Sequence, residues 1–455
     1  MGWYLMEYMP IVDKILSRGK KKLDDLEVYL LNNKSLEIGI FKGELDKYFL
    51  SESGGLSIRG IKTNKMGYAY SEKLDESIID SLIEEVYENS KYIETIDNDE
   101  IFTGSPRYKN INKFNGTFNE IPIVEKIEIC KQLENYAYSL DKRVSIVQSC
   151  SYKEIEQERL LNNTKGIKLR DKDNFGFLYI SVIVKDEEDT KTGTSYKVFK
   201  NPNMINYKEI AKDAVNKAIL MIGASSIKSG SYTTVLKNTV FANLLEAFVS
   251  IFSADQAQKG LSLLNNKVGE NIASSILTLV DDPFYKEGFS SIAFDDEGTS
   301  TKYKRVIDKG VLKTLLHSWK TAKMEGIEST GNASRSSYKS SLTISPSNFY
   351  IKRGNISFDN MIKRIEHGIY ITNLAGLHSG LNTVSGDFSL SADGYEIVNG
   401  NISRPINQIT IAGNFFELLK NIEDIGDDLK FVLPGTGYFG SPSITVKSLS
   451  IAGEK

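Results

Sequence analysis

The chain has 455 residues, with 56 basic and 59 acidic side chains, a formal net charge of −3 and an ordinary apolar share of 40%. That length predicts two or three domains, and the near-neutral balance lacks the basic surplus of a dedicated nucleic-acid binder. Cys130 and Cys150 are the only cysteines, which excludes a disulfide framework and any Cys-x-x-Cys metal ribbon and suits a reducing compartment.

The first six residues have no basic region ahead of an apolar core, so no signal peptide is read. The longest apolar stretch, residues 240–254, carries Asn243 and Glu246 and is shorter than the ~20 residues that span a bilayer. A soluble, cytoplasmic protein is expected, with no membrane partner.

In chain order, residues 11–16 have helical spacing, and 26–31 and 36–41 alternate as half-buried strands around a turn at Asn32-Asn33-Lys34. A second strand pair, 56–61 and 66–70, flanks Thr63-Asn64-Lys65. A helix over 76–92 follows, its apolar face formed by Ile78, Ile79, Leu82, Ile83 and Val86. Residues 95–120 are polar and read as a linker. The same order then recurs: helix 124–138, strands at 144–149, 154–161, 167–170 and 177–184, and helix 207–222. This recurrence suggests an internal duplication.

From residue 223 a third region begins, with a strand at 232–236 and a buried helix at 240–254. Mostly β signals with glycine turns follow. Asn399-Gly400 marks a short hairpin, and Asn414 is placed to cap a helix over 415–422. The expected class is α+β, with domains at 1–100, 115–225 and 228–455, the last β-rich.

Several motifs bear on chemistry. Gly435-Thr-Gly437-Tyr438-Phe-Gly440 fits the letters of a dinucleotide fingerprint, but the strand-like Ser443-Ile-Thr-Val follows and no helix can receive a pyrophosphate. It reads instead as a loop that brings backbone close to something. His317, His367 and His378 have no metal-ligand spacing; His378, in a glycine-flanked loop beside Asn382 and Asp387, is the one placed for exposure. The acidic groups Asp281-Asp282 and Asp295-Asp296-Glu297 read as turn capping next to Pro283 and Gly298. Glu246 sits in an otherwise apolar helix, where a carboxylate needs a partner, a cavity or a cleft.

Gln258-Lys-Gly-Leu-Ser, Thr278-Leu-Val-Asp-Asp-Pro283, Phe294-Asp-Asp-Glu-Gly298, Ser329-Thr-Gly-Asn-Ala333, Ser385-Gly-Asp-Phe-Ser389 and Ile409-Thr-Ile-Ala-Gly-Asn414 together resemble the PmbA/TldD family. That family consists of metallopeptidases also described as modulators of DNA gyrase, and the resemblance covers nearly the whole chain. It implies an HExxxH helix and a late cysteine that hold zinc in the TldD branch. Here Leu245 and Ser250 stand at the two histidine positions and only Glu246 remains, while the segment around Gly435 has no cysteine. Ligands five residues apart on a helix of 3.6 residues per turn would also require a distorted turn.

The chain therefore resembles the PmbA (TldE) branch, and no zinc or other cofactor is expected in it. The resemblance implies a metal-free subunit, inactive alone, that pairs with an HExxxH-containing TldD-like subunit acting on peptides or unfolded proteins. A homodimer is the expectation for the isolated chain. His378, Asn382, Asp387, Gly435, Gly437, Tyr438 and Gly440 are the expected substrate-cleft residues. The alternatives are an autonomous peptidase using Glu246 with other ligands, or a regulator linked to gyrase.

Overall fold

A computed structural model describes residues 4–93 and 100–454; residues 1–3, 94–99 (which include the start of the expected linker at 95) and 455 lie outside the described residues. The chain divides into two units, Met1–Ile222 with Arg335–Ser341, and Gly223–Ser334 with Leu342–Lys455.

Unit 1 contains α1 (Met9–Gly19), β1 (Asp25–Phe41), β2 (Glu44–Lys62), β3 (Lys65–Ser71) and α2 (Ile79–Lys91). Then come α3 (Ile123–Leu140), β4 (Val144–Asn163), β5 (Lys168–Asp186), β6 (Asp189–Phe199) and α4 (Tyr207–Ile219). All six strands form one sheet in the order β3-β2-β1-β4-β5-β6, with β1 and β4 antiparallel at its centre. The two helix–meander–helix runs read from the sequence are thus two halves of one sheet, each running outward from the middle.

The halves share a packing device. A Cβ on Gly67 of β3 would lie 1.8 Å from the Val86 carbonyl of α2, and one on Gly193 of β6 would lie 2.0 Å from the Ala214 carbonyl of α4. In each half a glycine lets a helix sit directly on the outermost strand. The buried residues of α2, Ile79, Leu82, Ile83 and Val86, are the apolar face expected from spacing. Arg335 also belongs to this unit: it donates to Glu27 Oε1 (2.7 Å) and Ser57 Oγ (3.1 Å), and Arg59 Nε shares that carboxylate at 2.9 Å.

Local readings differ from the structure in three places. Asn32-Asn33-Lys34 is no turn but the middle of the 17-residue β1. These residues are paired on both sides, to Gly54-Ser53-Glu52 and to Glu158-Gln157-Glu156, and two full ladders override a local turn preference. The first half of β2 and all of β6 were not legible because their charged residues hide the alternation. The described part of the linker is also packed down, with Ile101 and Phe102 buried and Lys113 paired with Asp171 at 2.9 Å.

Unit 2 is β-rich, as expected. Strands Asn401–Asn414, Asp387–Val398, His367–Ala375, β7 (Gly230–Leu236) and Ile444–Ala452 follow one another in a sheet. Pairing of Thr410–Ala412 with Ser450–Ala452 closes those five strands on themselves. The Asn399-Gly400 hairpin is present, with Val398 opposite Asn401, and Asn414 caps Phe415–Lys420. A second six-stranded sheet contains β8 (Leu279–Asp281), β9 (Lys304–Asp308), β10 (Val311–Leu312), Asn348–Ile351, Tyr438–Ser441 and Lys430–Phe431. No described helix is long and apolar enough to cross a membrane.

Candidate functional site

The site is built on α5 (Asn238–Ala247), in which Val240, Phe241, Ala242, Leu244 and Leu245 are all buried. A helix apolar on most of its circumference must sit inside a core, and Phe248, just after it, stacks on Phe415 with centroids 4.5 Å apart. The single helix expected over 240–254 is broken. It ends at Ala247, Phe248 takes φ −98° and ψ 7°, and Val249–Phe252 is a tighter 3₁₀ turn. The distortion falls between the two motif positions Leu245 and Ser250.

Leu245 is 1% exposed and part of the main core of the unit, whereas Ser250 is half-buried. Glu246 is half-buried, with no hydrogen bond or ion pair among the described residues, and burial raises its pKa above the ordinary carboxylate value. In front of it stands the glycine loop: a Cβ on Gly435 would lie 3.1 Å from Glu246 Oε1. The structure thus brings together Glu246 and Gly435, nearly 190 residues apart in sequence.

The loop is held from behind. Gly435 N donates to the Gly437 carbonyl (2.9 Å), and Tyr438 N donates to the Ser347 carbonyl (2.8 Å). Ser345 Oγ donates to the Thr436 carbonyl at 3.1 Å. At Gly437 a side chain would meet the carbonyls of Pro346 and Ser347 at 3.0 and 3.2 Å. Ser347 is in turn fixed by Asp281, whose Oδ1 accepts from its backbone N–H (2.8 Å) and hydroxyl (2.5 Å). The other oxygen of Asp281 accepts from Lys304 Nζ and Asn332 Nδ2, both at 2.8 Å, and Lys304 also donates to Asn332 Oδ1 at 3.0 Å. Asp281 and Lys304 are buried. This network was not legible beforehand. Only Asp281 stood out in the sequence, and its partners come from three distant segments with no shared spacing.

The remaining candidates separate from this centre. Tyr438 and Gly440 lie in a buried strand; the Tyr438 ring stacks on Phe431 at 4.4 Å and meets Phe289 edge-on at 5.3 Å. A Cβ on Gly440 would meet the Phe431 ring at 2.7 Å. Both are packing positions beneath the loop rather than open cleft.

His378 is exposed on the turn before Asp387–Val398. Asn382 Oδ1 accepts from the Val384 and Ser385 backbone N–H groups. Asp387 accepts from Asn414 Nδ2 (2.9 Å) and Ser385 Oγ (2.7 Å), which lower its pKa. Those two side chains organise their own turn. Asp282 and Asp295 behave as the turn caps expected: Asp282 Oδ1 accepts from Phe284 N, and Asp295 accepts from the amides of Glu297, Thr299 and Ala333.

A zinc centre does not fit these residues. Leu245 offers only carbon, Ser250 a hydroxyl and the glycine loop no thiolate, whereas a catalytic zinc needs about three nitrogen, sulfur or carboxylate ligands. Among the described residues no group of three or more His, Cys, Asp or Glu is arranged to hold a metal ion.

The chain thus combines a paired antiparallel sheet with a β-rich unit in which a glycine loop faces a buried helix. Residues 26–90, 116–222 and 229–453 match, in turn, domain 1, the central domain and the C-terminal domain of the PmbA/TldA metallopeptidases. The chain belongs to the PmbA/TldD family. It is 30% identical to a metalloprotease TldD homolog of Buchnera aphidicola, over 94% of this chain and 90% of that protein. A Thermotoga maritima protein solved as a proposed modulator of a DNA gyrase superposes with a TM-score of 0.90 at 32% identity, covering 98% of this chain and all of the other. TldE from Thermococcus kodakarensis has the same fold, with a TM-score of 0.87 at 23% identity over 97% of this chain and all of that one.

Proposed function

We propose that this chain is the metal-free subunit of a peptidase assembly, supplying wall and substrate contacts to a related subunit that carries the HExxxH helix. The observation that carries this reading is the burial of Leu245. Where the zinc branch places its first histidine, an aliphatic side chain is packed into the main core, so the helix keeps its fold while the metal donor is gone. Glu246 retains its place facing the glycine loop, but with no metal-bound water to act on it has no role as a general base in this chain alone. Its raised pKa suits it to donate a hydrogen bond, for example to a peptide carbonyl, when protonated.

The glycine loop supports the same role. Gly435 brings bare backbone up to the Glu246 carboxylate, and the Asp281–Lys304 network holds that backbone in place. The substrate class is peptide or unfolded protein, the partner is an HExxxH-bearing relative, and the compartment is the cytoplasm. The test mixes purified chain with such a relative. A co-eluting complex with raised peptidase activity is expected, and substitution of Gly435 by Val should lower that activity while leaving the complex intact. A relative that is fully active alone and never co-elutes overturns the proposal.

A further inference from the structure

Unit 2 also holds a pocket on the face of its sheet that turns away from α5. Ile444 and Val446 of strand Ile444–Ala452 point into the main core with Phe241 and Leu244, so alternation turns Thr445 the other way. On that side Val235 of β7, opposite Thr445 in the ladder, packs with Met361, Ile362 and Ile365 in and just after the short helix Phe358–Lys363. Beside this small core lies a pocket of about 550 Å³, within the range of small-molecule sites. Its walls are fixed backbone. A Cβ on Gly368 would lie 2.4 Å from the Thr233 carbonyl and 2.6 Å from Ile365 Cγ2, so a glycine lets the chain after the helix press onto β7. The hairpin tip is tied to the same chain: Asn399 N donates to the Glu366 carbonyl (2.6 Å) and Gly400 N to that of Ile365 (2.9 Å). Another wall is strand Ile422–Ile425. There Ile422 pairs with Val446 and Asp424 with Thr445, which leaves Glu423 as a bulge, a device that re-aims a side chain.

The groups these walls present are mostly acceptors. Three carboxylates, Glu366, Glu423 and Asp424, line the pocket against one guanidinium, Arg364. Arg364 Nη1 donates to Asp424 Oδ1 at 3.0 Å. Glu366 and Glu423 are exposed, and neither side chain has a hydrogen bond or ion pair among the described residues. His367 Nε2 donates to Glu396 Oε1 at 3.2 Å, and Arg404 Nε holds the other oxygen at 2.9 Å. In the neutral ring that leaves Nδ1 as an oriented acceptor. At the base is Thr445, 3% exposed, whose hydroxyl has no hydrogen-bond partner among the described residues. A sheltered hydroxyl left unmatched costs free energy that a ligand can return. Ile365 and Val398 supply an apolar side.

We infer that this pocket binds an aliphatic ammonium ion, its N–H groups meeting Glu366, Glu423 and the Thr445 hydroxyl and its methylene stem lying against Ile365 and Val398. An ammonium only donates, which matches a lining of acceptors with surplus negative charge, whereas an anion would meet three carboxylates. A metal ion suits the pocket less, since among the described residues no group of three or more His, Cys, Asp or Glu is arranged to hold one. A free polyamine and a lysine side chain present the same chemistry, and the test separates them. This inference stands apart from the peptidase reading and does not depend on it.

Isothermal titration calorimetry of the full chain tests it, with spermidine as one probe and the blocked peptide acetyl-Ala-Lys-Ala-amide as the other. Saturable binding at one site per chain is expected, with Kd below ~1 mM. Tighter binding of spermidine assigns the pocket to a free amine, and tighter binding of the peptide assigns it to a lysine side chain. Thr445→Val should leave the unliganded chain at least as stable as wild type, because the hydroxyl it removes makes no bond, yet raise Kd ~10-fold. Glu366→Gln combined with Glu423→Gln should raise Kd ~5-fold or more. Glu187→Gln, which removes an exposed charge from unit 1, should leave Kd unchanged. No saturable binding of either probe, equal weakening by Glu187→Gln, or wild-type affinity in either pocket variant overturns the inference. Magnesium ion binding more tightly than both amines, and lost in the Glu366→Gln and Glu423→Gln double variant, also overturns it and makes the pocket a metal site.

Discussion

Two carboxylates of unit 2 meet burial in opposite ways. Both oxygens of Asp281 are occupied, by Lys304 and Asn332 on one side and Ser347 on the other. Glu246 is desolvated by α5 and the Gly435 loop, with no hydrogen bond or ion pair among the described residues. A buried charge with every lone pair used belongs to the architecture, whereas a carboxylate left uncompensated beside bare backbone is where an outside group can bind. The contrast divides scaffold from site within one small region.

The largest effect that would break this division lies at Asp281. Asp281→Ala leaves Lys304 buried and unpaired and should cost about 3–5 kcal/mol, read as a shift in the denaturant midpoint. If the loss is below ~1 kcal/mol, the network does not hold the loop. Next comes Leu245→His, which replaces a core side chain with an imidazole and should cost about 2–4 kcal/mol. Ser250→His, at a half-buried position, should cost under ~1 kcal/mol. The pair of measurements tells whether the first motif position is truly given over to packing.

Glu246 sharpens the comparison through pH. Its folded pKa is raised, so between the unfolded value, ~4.3, and the folded one the native state holds more protons than the unfolded chain. The stabilising contribution of its protonated form is full below the unfolded pKa and is lost as pH rises through the folded value. Wild type should therefore lose stability relative to Glu246→Gln as pH rises from about 4 through the raised folded pKa; a gain over that range contradicts the desolvated setting. The smallest effect is at Gly435→Ala. Its nearest obstacle is the end of a flexible side chain, so the stability change should stay under ~1 kcal/mol, against a larger loss at Gly437→Ala, where backbone carbonyls block.

The pattern of the chain carried much of this. Helical spacing placed the α2 face at Ile79, Leu82, Ile83 and Val86, the repeated helix–meander–helix order recurs in the structure while its joining into one sheet was not legible, and Asn414 and Asn399-Gly400 marked a cap and a hairpin. The pattern predicts one helix over 240–254 and misses the break after Ala247, because the apolar run continues through it. Asn32–Lys34 misled because two neighbouring strands outweigh local turn chemistry. At the site, Glu246 was legible as a charge in an apolar helix, and Gly435 as a loop. Lys304, Asn332 and Ser347 were not, since they converge only when β8, β9 and the segment before Asn348 come side by side.

The central claim is that this chain has the peptidase scaffold without the metal chemistry. Metal analysis of the purified chain, with peptidase activity followed before and after mixing with an HExxxH-bearing relative, tests it most directly. The account predicts no stoichiometric zinc and no activity from this chain alone, with activity appearing above that of the relative on mixing. About one zinc per chain, with peptide cleavage by the isolated protein that a chelator abolishes, would contradict it.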